Sequence, residues 1–318
     1  MTGGPRGGPR GGPGGDTGDG APGHPAGETA RVAHVRHHYA REVMTRAGVS
    51  DVRVEAAFAT VPRERFLGPG PWRMLARDGG VLLQDPTPAD AYHDALFALD
   101  PAQGVNNGSP SLHALMLHAL DVRPETRPGT RPGPRVVHVG AGSGYYTALL
   151  AELAGPDGRV TAVEFDPALA ERARANLADR PGVEVVHGDG AAWPREDVDG
   201  VYVNFACSAP APPWVERLAP DGRLVLPLGA GPPHGEHGAT FVFRRVAAGY
   251  EARLLAQTSF IHARGKHPDP ATDTALHAAF QAGGAERVAS LRWREPADPA
   301  RCWFQGVGWA LCYDPPGV

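Results

Sequence analysis

Apolar residues change their period near residue 135. Ahead of it they recur at helical spacing; beyond it they gather in short β-branched runs. In ARVAHVRHHYAREVMTRAG, residues 30–48, Val32, Val35, Tyr39, Val43 and Met44 fall near one helical face, and Gly48 ends the run. Ser50 is placed to cap a second helix with Val54, Ala57, Phe58 and Val61 on one face, which Pro62 stops. LGPGPW follows as a turn-rich loop. Leu112, Leu115, Met116 and Ala119 mark a third helix after GVNNGSPS, and RPETRPGTRPGP reads as an exposed, semi-rigid connector.

From Arg135 the patterns alternate: RVVHV, YYTALLAELA, RVTAVEF, PALAERARANLADR, VEVVHG, DGVYVNFA and GRLVLPLG. Strand and helix in turn predict an α/β fold, a mainly parallel sheet with helices on both faces. FVFRRV and YEARLLAQ, joined around Ala248-Gly249, predict a hairpin at the sheet edge. A helix in TALHAAFQAGG and two short strands, within ERVASLRW and CWFQGVGWALCY, complete the chain.

Composition adds boundaries. The opening stretch, with GGPRGGPRGGPGG and almost no large apolar side chains, cannot offset its ordering entropy and is too polar for a signal peptide. The expected organisation is a disordered tail over 1–28, an N-terminal helical segment over 29–122 and a Pro-rich linker over 123–134. A ligand-binding core over 135–255 and a C-terminal α+β extension over 256–318 follow. A net charge of −4 argues against nonspecific nucleic-acid binding. No apolar run approaches the roughly 18 residues that cross a bilayer. Cys207, Cys302 and Cys312 form no C-x-x-C pair, which points to a reducing cytoplasm. His34, His37 and His38 have polar neighbours, and His234 and His237 sit in a Gly/Pro loop; with no further ligands near in sequence, no metal is expected.

The chemistry centres on VGAGSGYY. Gly140, Gly142 and Gly144, with Ser143 between them, form a strand-to-helix turn that a ligand can approach closely. A dinucleotide fingerprint would place a small residue where bulky Tyr145 stands. Glu164, ending the next strand, can accept from two ribose hydroxyls. Asp189, before Gly190, can accept from an exocyclic adenine amine. Glycine turn, Glu and Asp at successive strand ends fit S-adenosylmethionine, and Asn204, ending the strand VYV, is placed to line the same site. Of Tyr145 and Tyr146, one could close over the cofactor while the other packs the helix. Asp94 could organise a loop, and His93 is expected to face solvent.

From about Tyr39 to Gly229 the chain resembles the protein-L-isoaspartate O-methyltransferases. The resemblance is carried by VPRERFL (61–67), AYHDALFAL (91–99), VGAGSGYYTALLAEL (139–153), VEFDPALAERARANL (163–177), GDG (188–190) and DGRLVLPLG (221–229). It implies a Rossmann-like S-adenosylmethionine-dependent methyltransferase with an N-terminal, substrate-side helical cap. It also implies methyl transfer to an aspartyl or isoaspartyl carboxylate of a protein or peptide. One stretch departs from the pattern: where the family carries Thr-Ile-Ser-Gln-Pro, this chain has Asn106-Asn107-Gly108-Ser109-Pro110. The serine position is Gly108, and Ser109 falls one place later. Asn106, Asn107 and Ser109 are the expected acceptor-orienting residues, since carboxamides can hold a carboxylate or peptide carbonyl. A carboxylate acceptor is already ionised and needs no general base, so alignment is the main task. A tailoring enzyme for one dedicated peptide or small acid, and a cofactor-binding peptide receptor without turnover, stay open beside the repair reading.

Overall fold

The structure, a computed structural model, describes Met1 and residues 25–75, 80–124, 132–231, 238–263 and 270–317. Most of the expected tail, the centre of the linker, and His234 and His237 lie outside the described residues. The first apolar stripe folds as α1 (Pro25–Ala47). This helix starts before the stripe does, because Pro25 suits a first helical turn and the next residues tolerate helix. α2 (Val52–Thr60) is capped by Asp51 rather than by Ser50. One Asp51 oxygen accepts from the N–H groups of Arg53 (3.0 Å) and Val54 (3.5 Å), while Arg53 and His118 hold the other. α3 (Glu64–Leu67) is a single turn.

A small antiparallel sheet follows, which the sequence pattern did not predict. Its strands are β1 (Trp72–Leu75), β2 (Val81–Leu83), β3 (Leu96–Asp100) and β4 (Val105–Asn106), in the order β2-β1-β3-β4. β2 and β4 are too short for an alternating pattern to show. Arg63 anchors this region. It is wholly buried. Its guanidinium donates to the carbonyls of Ala91 (2.8 Å), His93 (2.6 Å) and Ala95 (2.7 Å) and lies 5.1–5.8 Å from the ring centroids of Tyr39, Phe97 and Tyr145. Carbonyl dipoles and ring faces, not a carboxylate, compensate the charge.

α4 (Pro110–Leu120) leads to a ten-stranded sheet. Its elements are β5 (Arg135–Val139), α5 (Tyr145–Ala154), β6 (Arg159–Glu164), α6 (Pro167–Leu177), β7 (Val183–His187), β8 (Val198–Val203), α7 (Pro212–Glu216) and β9 (Leu218–Gly229). Then come β10 (Gly238–Val246), β11 (Gly249–Thr258), α8 (Pro270–Ala282), β12 (Ser290–Trp293), β13 (Cys302–Gly306) and β14 (Trp309–Cys312). Strand order is β13-β14-β12-β11-β10-β9-β8-β5-β6-β7. Only β7, β6, β5, β8 and β9 are parallel; every pairing from β9 to β13 is antiparallel. The expectation of a mainly parallel sheet therefore holds for half of it, because the C-terminal segment adds its strands to the edge of the same sheet. Cys302 and Cys312 face each other across the β13–β14 hairpin and form a disulfide, and Cys207 is free and buried. Sequence spacing hid this pair because a hairpin closes their separation.

The two sheet faces carry separate cores. Val136, Val160, Tyr202, Val225 and Val242 pack against residues of α1, α2, α4 and α5. Val137, Val139, Val201, Val203 and Leu226 pack with Trp214 of α7, Leu276 of α8 and aromatics of the last hairpin. No helix among the described residues is long and apolar enough to cross a membrane. Replacing Arg63 with Ala strands three buried carbonyls and should lower unfolding stability by about 3 kcal/mol or more. Urea denaturation checks this, and a loss below about 1 kcal/mol would show the anchor to be dispensable.

Candidate active site

The strand order reverses at β5, which pairs with β6 on one side and β8 on the other. Open α/β sheets bind ligands at that switch, beyond the carboxyl ends of the strands. The glycine turn stands there, with Gly140, Gly142 and Gly144 all at positive φ (79°, 57° and 96°). Their surroundings separate their tasks. A Cβ on Gly140 would lie 2.7 Å from the Phe205 ring, and one on Gly144 2.8 Å from Leu177 on α6. One on Gly142 would meet only Leu99, at 3.5 Å. Two of the glycines thus serve internal packing, and Gly142 leaves room. Ser143 is buried, and its carbonyl accepts from Asn176 (2.9 Å), so it serves the turn from within.

Glu164 ends β6 beside the turn. Its carboxylate accepts from the N–H groups of Gly142 (2.7 Å) and Asp166 (2.9 Å). Burial pushes its carboxyl above the usual range, and those two N–H groups pull the other way. A carboxylate has about four acceptor sites, so further donors can be received. Phe165, the next residue, is half exposed. Its aromatic ring thus stands in the open directly after this carboxylate. Asp189 is exposed and caps a short 3-10 turn by accepting from Ala191 N–H (2.9 Å). Gly190 is glycine for packing, since a Cβ would lie 2.1 Å from Val139; its carbonyl accepts from the Trp214 indole (3.0 Å). Asn204 follows β8, with its N–H bonded to Val139 O (2.9 Å) and its side chain half-buried.

The small sheet lies over this crevice. Leu99 of β3 stands above Gly142, and Gln103 donates to Asp166 (3.4 Å). The NNGSP loop follows β4. Asn106 accepts from Gly108 N–H (2.9 Å) and so closes the turn. Asn107 is buried; its N–H donates to Phe97 O (3.0 Å), and its Oδ1 accepts from Phe97 N–H (2.8 Å). It therefore acts as an extra rung of the sheet. Ser109 pairs its hydroxyl with that of Ser111 (3.2 Å), and Asp94 accepts from Ser111 N–H (2.8 Å) at the start of α4. Asp94 thus ties the loop that Arg63 shapes to the helix that follows NNGSP. His93 is exposed.

Beneath the loop lies a buried cluster the sequence reading did not find. His113 stacks on Tyr146 (3.6 Å between centroids) and bonds Tyr202 through Nδ1 (2.5 Å). His138 bonds Thr147 (2.8 Å). Both imidazoles are buried, which pushes His113 well below its usual value, with the charges of His138 and Arg63 adding to the effect, and His138 down to about 3. Tyr145 and Tyr146 are both buried, and the Tyr146 hydroxyl reaches Gly108 O (3.4 Å), so neither ring lies open above the turn. A Cβ on Gly108 would lie 2.2 Å from His113 Nε2, at a φ of 74°.

Strand order, glycine turn and acidic strand ends define a Rossmann-like fold of the S-adenosylmethionine-dependent methyltransferase class. Solved structures agree on the fold. A protein-L-isoaspartate O-methyltransferase superposes with a TM-score of 0.58 at 24% identity, over 72% of this chain and 66% of that one. A Plasmodium falciparum structure described as a putative protein-L-isoaspartate O-methyltransferase, in complex with S-adenosyl-L-homocysteine, gives 0.54 at 17% identity, over 73% and 99%. The chain belongs to the protein-L-isoaspartate(D-aspartate) O-methyltransferase family, whose profile matches residues 40–267. A protein-L-isoaspartate O-methyltransferase of Aeropyrum pernix is 40% identical over 59% of this chain and 65% of its own length. The protein-L-isoaspartate O-methyltransferase 2 of an Anaeromyxobacter species is 34% identical over 76% and 88%. The chain thus spans just under two thirds of the Aeropyrum protein.

Two outcomes follow from the buried cluster. Gly108→Ser should destabilise the fold by about 2 kcal/mol, through backbone strain and the His113 clash; an unchanged melting temperature would show that the imidazole can move aside. The buried histidines stay neutral in the fold but take protons when unfolded, so stability is full above about pH 6.5 and declines as pH falls towards the folded values. The slope is up to about 1.4 kcal/mol per pH unit for each imidazole. Urea midpoints from pH 7 to 5 should show the decline, and His138→Gln should flatten it.

Proposed function

We propose that the chain transfers a methyl group from S-adenosylmethionine to an aspartyl or isoaspartyl carboxylate of a protein or peptide. The observation that carries this reading is that Leu99 and Tyr146 bring the glycine turn and the NNGSP loop to one crevice. The residues fit the cofactor: Gly142 leaves space, Glu164 keeps acceptor capacity for ribose hydroxyls, Asp189 is open to an adenine amine, and Phe165 offers a ring face. Bound there, S-adenosylmethionine supplies an already activated methyl group. The chain's own work is then orientation and exclusion of water, which can lower a barrier by roughly 7–11 kcal/mol. Asn106 and Ser109 are the groups left to meet the acceptor, with Asn107 fixing the strand behind them. The absence of a base in these roles suits a carboxylate nucleophile, which is ionised at neutral pH.

A second reading is an enzyme that methylates one dedicated peptide. Gly108 favours it, because the hydroxyl the family places there is excluded by His113. Incubation with methyl-labelled S-adenosylmethionine and an isoaspartyl peptide should yield base-labile label on the peptide. Bound S-adenosylhomocysteine with no label transferred would overturn the repair assignment. Glu164→Ala should weaken S-adenosylhomocysteine binding at least tenfold by calorimetry; unchanged affinity would remove the ribose assignment.

A further inference from the structure

On the sheet face that α4 packs against, the described residues beyond α4 present charged side chains. Arg223 pairs with Arg244 across β9–β10, and Arg244 with Glu251 across β10–β11; Val242 pairs with Arg253 one rung away. These side chains share a face by the alternation of strands. They line a cavity of about 510 Å³, bounded by Ala119 at the end of α4 and by Pro315 and Pro316 near the chain's end.

The arginines are not equally engaged. Arg223 donates to Ala119 O (2.9 Å) and pairs with Asp121 (3.2 Å). Arg244 makes a two-bond pair with Glu251 (2.9 and 3.0 Å). The Arg253 guanidinium has no hydrogen-bond or ion-pair partner among the described residues, and the residue is exposed. The cavity lining thus carries three arginines against one carboxylate, in a chain whose net charge is −4. The crowding is felt: desolvation lowers the Arg223 guanidinium, Asp121 opposes this, and the charges of Arg244, Arg253 and Arg123 add to the lowering. Like charges held together, one of them free, favour an anion that bridges them.

We propose that this cavity is a second ligand site, for a small organic anion with phosphate or carboxylate groups and an apolar portion. The volume suits a small molecule, Val242, Val288 and the prolines supply apolar wall, and guanidinium forks match both oxyanions. The site is separate from the methyl-transfer crevice. It lies three strands across and several residues back from the Gly140 turn, on the order of 20 Å away. α4 joins the two, with NNGSP at one end and Ala119 at the other, about 16 Å apart along its axis. The inference does not depend on the acceptor proposed above.

The test is calorimetry at fixed ionic strength, with the full chain saturated by S-adenosylhomocysteine and pyrophosphate or citrate as probe. At least one probe should bind, and Arg253→Gln should weaken it at least tenfold while leaving S-adenosylhomocysteine affinity unchanged. Binding of pyrophosphate alone supports a phosphate ligand; binding of citrate, alone or as well, supports a polycarboxylate. No binding by either probe, equal binding by the variant, or binding only when S-adenosylhomocysteine is absent would overturn the proposal.

Discussion

A buried positive charge without a carboxylate organises the loop over residues 91–95 and the entry to α4. Arg63 is held by three carbonyls of one short loop and by aromatic rings from α1, β3 and α5. An unpaired charge in the interior is costly unless its donors are met. Residues 91–95 are therefore bent to present their carbonyls inward. That bend sets Asp94 against the first turn of α4, and α4 fixes the far end of NNGSP. The position of the NNGSP loop is thus a consequence of a guanidinium that does not touch it.

The opposite wall is set by glycine. Gly140 and Gly144 are required by Phe205 and Leu177, that is, by the protein's own close packing. Gly142 alone faces space, and its N–H is bound by Glu164. The carboxylate proposed to meet a ribose therefore also fixes the turn. Burial raises the cost of this side chain's charge, and its backbone donors lower it.

Much of this was legible in the chain. Strand and helix alternation from Arg135, the hairpin at Ala248-Gly249 and the glycine turn that runs into α5 follow from local chemistry. What was not legible depended on distant partners. β2 and β4 have three and two residues, too few for a period. Asn107 serves as a strand residue because Phe97, ten residues away, offers both backbone groups. The hold of β12 on β11 rests on two residue pairs far apart in sequence. Asp51 displaced Ser50 as a cap because Arg53 and His118 could hold its second oxygen.

The contact between Gly108 and His113 also constrains how this loop can change over evolutionary time. A side chain at 108 and a full imidazole at 113 exclude each other in this packing. A side chain at 108 is therefore free of this clash once position 113 has become smaller or has shifted. Such a change abandons the stacking on Tyr146 and the bond to Tyr202. What position 108 can accept is thus set by a residue outside the loop.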